Sequence, residues 1–232
     1  KTVYYETQPG EDALAHMVIA KILCKHADVE KIYAARILAD YLTGSNEAPL
    51  TRAILEKGLA RDVRLEINDG VFQPSLALTL RNADPANFSA IRTFLPEAVR
   101  TICTGGLNRA ALSASLERAA FQSPEITEPY GVELAIRALD SWLYGGDPMT
   151  HIDNAGIYDA LRAKLDTPYF TALLAEMLAD PADKSCLFVL PSTTKGADDA
   201  KREAGRLAAV SSAWSAQERR EIYAGFLRMQ QW

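Results

Sequence analysis

Three histidines, His16, His26 and His151, and three cysteines, Cys24, Cys103 and Cys186, are the residues best suited to hold a metal ion. A zinc site needs three or four such ligands brought together, often two of them from one short stretch. Cys24 and His26 are two residues apart, which on a strand would put both side chains on one face. No third ligand is signalled near them, so the spacing reads as a cysteine at a strand end and a surface histidine before a helix. Nucleophile chemistry finds no better footing. There is no Gly-x-Ser-x-Gly elbow and no catalytic-cysteine context, and Ser211 and Ser212 fall within a helical stretch. Gly105-Gly106 and Gly145-Gly146 do not follow a strand or precede a Lys-Ser/Thr pair, so they are not phosphate loops. Both pairs stand where helices must end.

The 232 residues are 48% hydrophobic and 24% charged, with a net charge of −5. That balance suits a folded globular chain able to bury a full core. Arg219-Arg220 and Lys201-Arg202 are short pairs beside acids rather than a basic stripe, so a nucleic-acid partner is not expected. No apolar run approaches the roughly 18 residues that span a bilayer, so no membrane partner is expected either. An odd number of widely spaced cysteines argues against a disulfide framework. Reduced, mostly buried thiols are expected instead, which favours a reducing compartment, the cytoplasm or an organelle matrix. The chain begins at Lys1 and stops in mid-pattern at Trp232, as a segment of a longer chain would.

Periodicity orders the elements that must position any site. A short edge strand is expected over residues 3–7, ended by Pro9-Gly10, and a second strand over residues 16–24. Helices follow over 29–42, with Gly44 as a C-cap of positive φ, and over 49–57, with Gly58 after its end. Residues 63–67 and 75–81 alternate as the two strands of a hairpin around Asn68-Asp-Gly70. Asp84-Pro85 opens a helix reaching Cys103, with Pro96 a potential kink. Asn108 caps the next helix, to Gln122, and Pro124 and Pro129 bracket a loop. Helices over 130–144, 154–164 and 169–179 precede a late strand, 187–190, stopped by Pro191. Two helices close the chain, 196–213 and 215–232, the second opened by the Ser215/Glu218 capping box. This order lacks the strict alternation of a doubly wound sheet. It predicts an α+β fold: a mostly antiparallel sheet with helices packed on one face, then C-terminal helices.

Trp142, Tyr144, Tyr158, Tyr169 and Phe170 lie around the Gly145-Gly-Asp-Pro148 turn. Aromatic residues at such spacing usually build core. Trp142, Tyr144 and Asp147 are also the candidates for a substrate-facing wall, because aromatic rings give large contact area at low entropic cost. Asp140 and Asp147 could meet basic peptide side chains, or simply serve helix-end electrostatics and turn geometry.

Four blocks resemble the presequence-protease branch of the insulinase/pitrilysin zinc metallopeptidases. They are residues 16–23; Leu38-Ala-Asp-Tyr-Leu-Thr-Gly-Ser-Asn-Glu-Ala-Pro-Leu50 with Ala53-Ile-Leu-Glu-Lys-Gly-Leu59; residues 110–121; and Ser141-Trp-Leu-Tyr-Gly-Gly-Asp-Pro148, the most specific. Their order resembles that of the family's second αβ domain. The resemblance implies four αβ domains in two halves that close around a peptide-cleaving chamber, with zinc in the first domain alone. The family's inverted His-x-x-Glu-His motif is absent here, so no catalytic or metal-binding role transfers to any residue. The implied parts are a non-catalytic domain over residues 1–191 and the start of a helical linker over 192–232. The implied function is a domain of a zinc metalloendopeptidase that forms part of the peptide-enclosing chamber and supports the catalytic domain of the same chain. Zinc is then expected in the parent protein and not on this segment, and peptides are the expected substrates. The alternative is a stand-alone inactive relative, acting as a binding or scaffold subunit of a peptidase complex.

Overall fold

The computed structural model describes residues 1–8, 14–123, 129–180 and 184–231. The expected break at Pro9-Gly10, the loop proline Pro124 and the terminal Trp232 lie outside the described residues. Two compact units partition the chain: Lys1–Val3 with Ala13–Leu190, and Tyr4–Asp12 with Pro191–Trp232.

The chain is α+β. Its strands are β1 (Thr2–Glu6), β2 (Ala15–Ile22), β3 (Asp62–Asn68), β4 (Ser75–Ala83) and β5 (Ser185–Ser192). They form one sheet in the order β1-β5-β2-β4-β3. Pairings β2/β4, β2/β5 and β3/β4 are antiparallel. Phe188 N–H donates to Lys1 O at 2.9 Å and Thr7 N–H to Ser192 O at 3.2 Å, so β1 runs parallel to β5 and the sheet is mixed at that edge.

Alternation decides which face the helices cover. Ile19, Leu78 and Leu65 form one row across three strands, and Met17, Leu80 and Val63 the next. All six are buried. The intervening row of Val18, Thr79 and Arg64 points to the other face. A slip of one residue would exchange the two sets, so burial fixes the register.

The first unit's helices are α1 (Val29–Thr43), α2 (Pro49–Glu56), α3 (Phe88–Gly105), α4 (Arg109–Gln122), α5 (Tyr130–Trp142), α6 (Ala155–Arg162) and α7 (Tyr169–Leu178). Helix α1 is central: nine of its fifteen residues are buried, including Ile32, Ile37, Leu38 and Leu42. Burying each such aliphatic side chain stabilises the fold by about 1.5–3 kcal/mol. The second unit carries α8 (Lys195–Ser212) and α9 (Ala216–Gln230), and Ser215 opens α9 with both halves of its capping box made.

Some local expectations need correction. Gly44 has φ −72°, not a positive value. Its requirement is space, because a Cβ there would meet Asp40 O at 2.5 Å. Pro191 does not stop β5, which runs on to Ser192. Pairing with β2 covers Ser185 to Val189, so the missing N–H of Pro191 falls past that ladder and costs no bond to β2. The helix expected from Asp84 begins as a 3-10 turn, Pro85–Asn87, in which Asp84 Oδ1 accepts from Ala86 N. All three thiols are free and half-buried rather than fully buried. Burial pushes the Cys24 thiol up to about 11, with Asp28 adding to the effect, so it stays protonated. No described helix is long and apolar enough to cross a membrane.

Candidate functional site

The histidines and cysteines do not make a metal centre. His16 sits on β2, and its Nδ1 accepts the Asn82 N–H at 3.2 Å. Cys24 and His26 lie beyond the end of β2, so the shared strand face assumed for them does not exist. The His26 ring instead packs on Tyr144 and Phe72, at 5.1 and 5.4 Å between centroids. His151 lies elsewhere, next to Tyr33 of α1. Among the described residues no group of three or more His, Cys, Asp or Glu is placed to hold a metal ion.

A polar cavity of about 370 Å³ lies where α1, α4, α5 and α6 meet. Its floor is Tyr33, Tyr158, His151 and Asn154, each at most 9% exposed. Asn154 Nδ2 donates to Tyr33 OH at 3.2 Å and to Ser123 Oγ at 2.6 Å. Tyr33 OH lies 3.4 Å from His151 Nδ1, and the two rings stack with an interplanar angle of 5°. The Arg36 guanidinium covers the Tyr33 ring at 5.4 Å and pairs with Asp69. Helix α5 supplies the roof through Glu133, Arg137 and Asp140. Arg137 donates to Ser123 O at 2.7 Å. Asp140 lies over the β3–β4 turn, where a Cβ on Gly70 (φ +72°) would meet its Oδ1 at 2.6 Å.

Burial sets the charge states. It raises the Tyr33 and Tyr158 pKa values, so both stay phenols. It also lowers that of His151, against the pull of Asp140 and Asp69. The Asp140 carboxyl is raised by burial first and by Asp69 second. Arg36 is engaged by Asp69 and Arg137 by a backbone carbonyl. No activated nucleophile with a base oriented by a third group stands here, so the arrangement can bind and brace but lacks the parts of a hydrolytic centre.

The candidate wall residues separate. Trp142 is 64% exposed at the end of α5. Tyr144 is half-buried, donates to Gly70 O at 3.1 Å, and lies 5.9 Å from the Phe72 ring. Asp147 Oδ1 accepts from Met149 N at 2.9 Å, a turn contact. Tyr158 and Phe170 are core, and Tyr169 packs edge-on against Phe170. Tyr33, Arg36 and Asn154 escaped sequence reasoning. Their signal was the polar spacing 133, 137, 140 on α5, which shows a stripe but not which way it turns.

No family model matches the chain. Three curated proteins match, among them the following two. Protein HypA of Clostridium perfringens is 25% identical over 177 residues, covering 75% of this chain and 18% of the relative. Presequence protease 1 of Arabidopsis thaliana, chloroplastic/mitochondrial, is 20% identical over 229 residues, covering 94% of this chain and 21% of its own. The chain thus spans about a fifth of the length of either relative. In three dimensions, the inactive peptidase domain of a zinc protease from Bordetella parapertussis superposes with a TM-score of 0.63 at 13% identity. The match covers 78% of this chain and 93% of that one. The chain shares the fold of that inactive peptidase domain. An insulinase family protease from Yersinia pestis matches the same fold at TM-score 0.52 and 15% identity, over 83% of this chain and 42% of its own. The resemblance in the four sequence blocks and the inactive peptidase fold agree. In this chain the polar cavity braces α5, and α5 carries Trp142 outward.

Proposed function

We propose that this chain is a non-catalytic domain of a zinc metalloendopeptidase that degrades peptides. It forms part of the wall of a peptide-enclosing chamber and supports the catalytic domain of the parent protein, where zinc resides. The observation that carries this reading is the inactive peptidase fold, matched over 93% of the Bordetella domain, in a sequence with no His-x-x-Glu-His motif. The presequence protease match, in which the chain spans 21% of the relative, supports a parent much larger than these 232 residues. Residues 1–191 would form the wall and residues 192–232 the start of a linker. Trp142, Tyr144 and Asp147 would face substrate, Trp142 most directly because it is so exposed. The wall would act by confining and orienting peptides, leaving bond cleavage to zinc in another domain.

The test is metal analysis and peptide digestion with the purified 232-residue chain. We expect no stoichiometric zinc and no cleavage of any peptide in a mixed pool, with or without added zinc. Chelator-sensitive proteolysis by this chain, surviving further purification, would refute the proposal.

A further inference from the structure

The polar cavity under α5 carries charges that its own residues do not neutralise. Arg36 is paired with Asp69. Glu133, Arg137 and Asp140 line the same cavity, and among the described residues none of these three makes an ion pair. One N–H of the Arg137 guanidinium donates to Ser123 O at 2.7 Å, leaving its other donors open. The Asp140 carboxyl accepts no hydrogen bond among the described residues, and burial raises its pKa. Asn154 is only 9% exposed. Its Nδ2 donates to Tyr33 OH, Ser123 Oγ and His151 O, while its Oδ1 has no partner among the described residues. A buried acceptor left open in this way costs free energy until something donates to it.

We propose that this cavity is a binding site for a zwitterion of dipeptide size, with its carboxylate on Arg137, its ammonium on Asp140 and its amide N–H on Asn154 Oδ1. Charge selects the class. Arg36 and Arg137 are positive, and Asp69, Glu133 and Asp140 are negative. A free anion such as phosphate meets net repulsion there, and a simple cation leaves Arg137 without a counter-ion. An uncharged ligand would strip water from both groups and give neither a charged partner. A zwitterion satisfies both through charge-assisted hydrogen bonds, which a partly buried site strengthens. Geometry selects the length. Arg137 and Asp140 start three positions apart on one helix, about 5–6 Å between Cβ atoms. Arg137 reaches to the end of α4 and Asp140 to the β3–β4 turn, so their heads engage different walls. An α-amino acid carries both charges on one carbon, too close together to meet the two. A dipeptide sets them one peptide unit further apart, about 3.8 Å between α-carbons. The cavity's 370 Å³ falls within the roughly 300–1,000 Å³ of small-molecule sites.

Calorimetric titration of the 232-residue chain with the dipeptide Ala-Ser tests the assignment, alongside its N-acetylated form, its C-amidated form and free alanine. The unmodified dipeptide should bind, and acetylation or amidation should each weaken it about tenfold, the loss of one charge-assisted contact. Free alanine should bind at least tenfold more weakly than the dipeptide. Two variants then assign the ends. Arg137→Gln should abolish the preference for the free carboxylate and keep the preference for the free ammonium. Asp140→Asn should do the reverse. Loss of one preference with the other retained cannot come from a folding defect, and the four ligands on the unaltered chain decide the matter without any variant. Equal binding of the dipeptide and its blocked forms overturns the assignment, as does alanine binding as tightly as the dipeptide. Absence of dipeptide binding also overturns it and leaves the chamber-wall reading standing, since that reading does not use the cavity.

Discussion

At the scale of single residues, the cavity beneath α5 links stability to pH through two groups of opposite sign. Burial lowers the His151 pKa below its ordinary 6.5; Asp140 and Asp69 pull it back, and Arg36 pushes it further down. The unfolded chain therefore takes up this proton at a higher pH than the folded one. Stability from His151 is complete above pH 6.5 and declines as the pH falls below it. Asp140 runs the other way. Its folded pKa is raised above 3.8, so the folded chain protonates first and the cost of burying that carboxylate is relieved as the pH falls towards 3.8. Urea unfolding across this range should show the wild type losing stability on acidification through 6.5, relative to His151→Gln. Identical slopes in the two proteins would mean that His151 is not held neutral. His151 could be picked out of the sequence as a titratable residue, but not its partners. Tyr33, 118 positions away, reaches it only because α1 runs beneath the cavity.

At the scale of elements, local chemistry settles where helices begin and end. Asn108 Oδ1 accepts from Ala111 N at 3.0 Å, capping α4, while its own N–H donates to Tyr41 OH at 3.0 Å. The side chain supplies the cap and the backbone supplies the tie to α1. Asn108→Ala should cost about 1 kcal/mol in chemical denaturation, and Asn108→Asp should recover most of it. Equal loss in both variants would mean that side-chain capping is not what Asn108 contributes. Such caps were legible in the sequence, as were the alternating strands β3 and β4 and the apolar spacing of α1. The length of β5 was not, because whether Pro191 ends a strand depends on which neighbour needs its N–H. Nor was the conformation of Gly44, whose constraint is the nearby Asp40 oxygen rather than a left-handed turn.

At the scale of the whole molecule, the two compact units differ in what holds them. The first buries a continuous core from Met17 to Leu178. In the second, α8 and α9 bury no described residue, and Leu207, Val210, Ile222, Tyr223 and Phe226 are exposed. Helices of 18 and 15 residues with so little burial are marginal on propensity and caps alone. Hydrogen exchange on this chain should therefore find α8 and α9 amides exchanging far faster than those of α1 and β4, and comparable protection would show a stabilising contact beyond their own hydrogen bonds. The sequence by itself determined the order of elements, the α+β class and the absence of the zinc motif, because those depend on periodicity, caps and motif spacing along the chain. The tertiary structure alone decided which stripe of α5 faces inward. Both stripes have helical spacing, and the choice went to the polar one because Tyr33, His151 and Asn154, distant in sequence, meet beneath it with hydrogen-bonding groups that a purely apolar roof would leave poorly matched.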